Sequence, residues 1–74
     1  MQELTEKQTE IYNFIQNYIQ KHGYSPSREE IADGLNIHRS TARGYLIAMK
    51  KKSALTWDER VARSFVLTKG TSNG

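Results

Sequence analysis

The 74 residues leave room for one domain, with a limited core worth roughly 3–5 kcal/mol of net stability. The chain has no cysteine, which excludes disulfides and thiolate metal sites, and no apolar run approaches the ~20 residues of a membrane helix. The net charge of +3 is unevenly spread: six acids face three bases from Met1 to Asp33, and two acids face eight bases from Gly34 to Gly74. Such a split fits either a surface made for a polyanion or a solvated surface of uneven charge. Met1-Gln2-Glu3-Leu4 lacks the basic and apolar regions of a signal peptide, so a soluble, cytoplasmic protein is expected.

Thr5 and Gln8 have the spacing of a capping box. Ile11, Phe14, Ile15, Tyr18 and Ile19 follow at intervals that place them on one helical face. Gly23 supplies a left-handed stop, so the first helix covers about residues 6–22. Tyr24-Ser25-Pro26-Ser27 is a connector, because Pro26 disfavours helix at Ser25. Ser27 and Glu30 form a second capping box and open a helix whose apolar face is Ile31, Ala32 and Leu35. It runs no further than Asn36, which tolerates positive φ, and Ile37 is expected as a buried plug.

The third helix is expected from near His38 to about Lys52, with Ala42, Tyr45, Leu46 and Met49 inward. Arg39, Ser40, Arg43, Gly44 and Ile47 then point outward. Ala54–Trp57 and Arg63–Leu67 read as two strands around a tip at residues 58–62. A tail from Lys69 is expected to be disordered, giving a domain over 1–68 and a tail over 69–74. The fold class is mainly α with a small antiparallel β hairpin: a three-helix winged helix-turn-helix. Ala32, Asn36, Ile37 and Ala42 have the spacing of such a motif, whose second helix is presented to a DNA major groove.

The stretch SPSREEIADGLNIHRSTARGYLIAMKKKSALTW resembles the DNA-binding domain of the LexA repressor family. LTEKQTEIYNFIQNYI is similar to that domain's first helix and ALTWDERVARSFVLT to its wing, so the resemblance covers about residues 4–68. Three departures stand out. The turn before Ser40-Thr41 is one residue shorter than is usual in the family, Asn36 and Ser53 replace frequent glycines, and Asp58 and Glu59 bring acid near the wing. The resemblance implies a sequence-specific repressor module acting on double-stranded DNA at the nucleoid, of the kind that governs an SOS response. It also implies that the family's second domain, with its self-cleavage site, Ser–Lys dyad and main dimer contacts, lies outside this chain. Self-cleavage by that route is therefore not expected.

In that context Arg39, Ser40, Arg43, Gly44 and Ile47 are the candidate base contacts. A guanidinium pairs bidentately with guanine O6 and N7, and an apolar side chain meets a thymine methyl. Ile47 reads equally well as packing under the wing. Gly44 reads as close approach to DNA or as tolerated drift, since glycine weakens a helix interior by roughly 1 kcal/mol. Candidate backbone contacts are Ser25, Ser27, Arg28, Thr41, Lys51, Lys52, Arg60 and Arg63. Ser27 is first a cap, and the Lys50–Lys52 run also complements the helix dipole. The histidines have no metal-like spacing and no catalytic triad can be assembled, so neither metal, cofactor, small-molecule substrate nor enzymatic activity is expected. The first helix has no spare apolar stripe; a free monomer is expected, with a second copy joining on a palindromic operator through wing tips near Arg60 to Ala62. Two other classes compete. A protein-docking winged helix needs an apolar patch where Arg39, Ser40 and Arg43 stand. A single-strand binder needs outward aromatics, whereas Tyr12, Tyr18, Tyr45, Trp57 and Phe65 are read as inward.

Overall fold

The computed structural model describes residues 3–68. Both capping boxes form. The Thr5 hydroxyl accepts from the Gln8 amide at 3.2 Å while Gln8 Oε1 accepts from the Thr5 amide at 3.0 Å, and this opens α1, Glu6–His22. Gly23, at φ +83°, ends the helix in the left-handed region that glycine enters without strain. Ser27 and Glu30 repeat the device at 3.1 and 2.9 Å and open α2, Arg28–Leu35.

Asn36 takes φ +58°, and the Ile37 amide reaches back to the Ala32 carbonyl at 3.0 Å. This six-to-one bond closes the turn between the two helices of the motif. Ile37 is half-buried rather than the fully buried plug expected, because its backbone, more than its side chain, makes the turn. α3, Arg39–Lys51, follows from His38, which caps without a side-chain hydrogen bond. Ser53 then turns the chain at φ +63°. Asn36 and Ser53, which stand where the resemblance places glycines, are thus both left-handed.

The hairpin consists of β1, Leu55–Thr56, and β2, Val66–Leu67, antiparallel, with Leu55 opposite Leu67 and Thr56 opposite Val66. The strands are shorter than the expected Ala54–Trp57 and Arg63–Leu67. Side chains divert the groups that would extend the ladder. Ser64 Oγ accepts from the Asp58 amide at 2.9 Å, and Ser25 Oγ accepts from the Phe65 amide at 3.1 Å. Arg63 sits at φ +56°, which no strand residue adopts, so it belongs to the tip.

Ile11 and Ile15 from α1, Ile31 from α2 and Leu46 and Met49 from α3 form the centre of the core. Ala54, Leu55, Trp57 and Phe65 close it from the wing side. Ala32 and Ala42 are also buried, where α2 and α3 cross. A methyl group on Gly34 would run into the Phe14 ring, so α1 and α2 also approach closely there. Among the described residues no helix is long and apolar enough to cross a membrane. The tail expected from Lys69 lies outside the described residues.

Candidate nucleic-acid interface

The three- and four-residue rhythm that buries Ala42, Leu46 and Met49 pushes the opposite face of α3 into solvent. Ser40, Gly44, Ile47 and Lys51 share the centre of that face, at intervals of four, three and four residues, and all are exposed. Arg39 and Arg43 stand on its flank toward α2, with Thr41 on the other side, likewise exposed. All five expected base contacts therefore fall on one uncovered surface. A methyl group built on Gly44 would meet nothing within 4 Å.

The N-terminal turns of α2 and α3 converge. Arg28, Glu29, Arg39, Ser40 and Arg43 line one groove between them. The wing enters through Glu59, whose Oε1 lies 3.2 Å from Arg28 Nη1 and 3.6 Å from Arg43 Nη1. Its Oε2 accepts from the Trp57 indole at 2.9 Å. The indole first, and then the two arginines, hold the Glu59 carboxyl below its usual range. Arg60, at the wing tip, is 90 % exposed and only loosely paired with Asp58 at 3.6 Å. Lys51 is exposed beyond Ile47, whereas Lys50 leans over the Trp57 ring, 4.7 Å from its centroid.

Three of the expected backbone contacts are engaged within the fold. Arg63 folds back toward α2 and grips Glu30 with both Nη atoms, at 2.7 and 2.8 Å. It also donates to the Tyr18 hydroxyl and the Ser25 carbonyl and lies over the Tyr24 ring. Ser25 is buried, with its hydroxyl donating to the Pro26 carbonyl and accepting from the Phe65 amide. Lys52 is turned to the start of α1, where its Nζ donates to Gln8 Oε1 at 2.8 Å and the Glu3 carbonyl at 2.9 Å. Ser27 remains a helix cap.

Glu30 is thereby the hub of a second cluster. Arg63 above all, with the Ser27 amide next, holds its carboxyl down at about 2. Along the sequence Glu30 stands only as a capping residue and Glu59 only as acid near the wing. The Arg63 partner of Glu30 lies 33 residues away and the Arg28 partner of Glu59 lies 31 away, so local spacing carries no signal of these ion pairs.

A buried three-helix core, a turn joining α2 to an exposed α3, and a two-stranded hairpin beside them define a winged helix-turn-helix domain. The chain belongs to the LexA DNA-binding domain family, whose family model, described as "LexA DNA binding domain", matches residues 1–64. It is 42 % identical over 69 residues to a LexA repressor of Thermosipho melanesiensis, covering 93 % of this chain and 35 % of the relative. Against a LexA repressor of Staphylococcus aureus strain Newman it is 34 % identical over 74 residues, covering 99 % of this chain and 36 % of the relative. The chain spans about a third of the length of these curated relatives.

Proposed function

We propose that this domain binds double-stranded DNA in a sequence-specific way, as the DNA-reading part of a LexA-type transcriptional repressor in the cytoplasm. The observation that carries the reading is the uncovered face of α3, where Arg39, Ser40, Arg43, Gly44 and Ile47 stand together, unclaimed by the core. In the major groove Arg39 or Arg43 pairs with guanine, Ser40 reaches a base edge or phosphate, and Ile47 meets a thymine methyl. Gly44 lets the helix backbone come close. Arg28, Thr41, Lys51 and Arg60 take phosphates, with the α2 amides behind Ser27 adding a favourable dipole. Arg63, Ser25 and Lys52 serve instead as anchors of the wing and of α1. One domain covers one half-site, and a second copy occupies the other half of a palindromic operator. The chemistry is recognition without a catalytic step.

Selection of bound duplexes from a random pool tests this directly and should return one preferred motif. Arg43→Ala should then lose about 1–3 kcal/mol on that motif and relax the preference at one position. A pool that returns no preferred sequence would sink the reading, as would full affinity in Arg43→Ala.

A further inference from the structure

Glu59 places a negative charge between two arginines that the DNA-reading surface needs. Its side chain keeps 49 % of its surface open, yet both oxygens have partners. Its Oε2 is tied to the Trp57 indole at 2.9 Å, and that ring is only 8 % exposed, packed on Phe65 with ring centroids 5.3 Å apart. Its Oε1 faces Arg28 and Arg43 together, as a DNA phosphate oxygen would. The two arginine side chains keep 41 % and 48 % of their surface open, so a ligand can still reach them.

Resting on the DNA-binding reading above, we propose that Glu59 is an affinity-limiting residue, a built-in stand-in for phosphate that occupies Arg28 and Arg43 in the free domain. On an arbitrary duplex the arginines exchange one anion for another, and the carboxylate also repels the incoming backbone. On the preferred site Arg43 must leave the same carboxylate before it can form directed bonds to a base edge, so the pair is given up there as well. The contact therefore weakens binding to both kinds of duplex, and only a site that offers Arg43 directed base-edge bonds recovers more than is given up. The carboxyl is held below its usual range, so it stays charged at neutral pH.

The test is Glu59→Gln, which keeps the shape and an acceptor for the indole, beside Asp58→Asn. The control makes the same charge change at a neighbour that faces Arg60 rather than Arg28 or Arg43. Each protein is titrated with a random-sequence duplex and with the selected motif across a range of salt. Glu59→Gln should bind the random duplex roughly tenfold tighter, with a salt slope steeper by about one to two units as freed arginines take phosphates. Its gain on the selected motif should be about as large, and Asp58→Asn should shift both duplexes by one common, smaller factor. Equal gains for the two variants on the random duplex would overturn the proposal. So would weaker binding of Glu59→Gln to both duplexes, which would make Glu59 a holder of Arg43. If the wild type prefers no sequence, the DNA-binding reading itself fails; if it keeps its motif and only the Glu59→Gln result fails, the fault lies with this inference alone.

Discussion

Gly44 stands inside α3, where glycine weakens a helix by about 1 kcal/mol relative to alanine. Nothing within 4 Å would meet an added methyl group, so no contact inside the fold requires the glycine. Gly44→Ala should therefore raise the melting temperature, by an amount corresponding to at most about 1 kcal/mol. Close approach of the helix to DNA predicts that this more stable variant binds the selected motif less well. Calorimetry and titration decide it: a variant improved in both respects would leave the glycine without a function. Other residues were illegible for a plain reason. Arg63, Ser25 and Lys52 are bases or a hydroxyl at plausible phosphate-binding positions, but their partners Glu30, Phe65 and Gln8 lie 33, 40 and 44 residues away.

At the scale of elements, the helices were written locally and the wing was not. Each of the first two helices begins at a capping box and stops at a residue suited to positive φ, all within a few residues of one another. The wing has only two residues per strand and depends on ties to the rest of the molecule: Arg63 to Glu30, and the Phe65 amide to Ser25. Arg63→Ala should loosen this element selectively. Hydrogen exchange at the Phe65 amide should quicken while the amides of α1 and α3 keep their protection. Binding should weaken on selected and random duplexes alike, since what is lost is the position of the wing. Unchanged exchange at Phe65 would show that the hairpin holds its place without the clamp.

For the molecule as a whole, the Glu30 cluster predicts acid sensitivity of a defined sign. Its carboxyl is held at about 2 in the folded chain, against an ordinary 4.5. A depressed carboxyl stabilises the fold fully above the ordinary value, and the contribution is lost as pH falls from 4.5 toward about 2. Glu59, shifted the same way, adds to the trend. The melting temperature should therefore drop through that window, and Glu30→Gln should show a shallower drop from a lower starting point. Both side chains of the Arg63–Glu30 pair keep more than a third of their surface open, so solvent and salt screen it and the effect is modest. A Glu30→Gln profile parallel to that of the wild type would assign the acid sensitivity elsewhere.

Taken by itself, the sequence determined the three helices, their caps, the turn at Asn36 and the face of α3 left in solvent. Those features rest on interactions spanning four or five residues and on a 3.6-residue period, both readable along a line. The tertiary structure decided which charges pair with one another. It paired Arg63 with Glu30 and Lys52 with Gln8, set Arg28 and Arg43 around Glu59, and buried the Ser25 hydroxyl against the wing. The physical reason is that a long cationic side chain goes to the nearest anion or carbonyl in space. Which group is nearest is set only when distant segments pack.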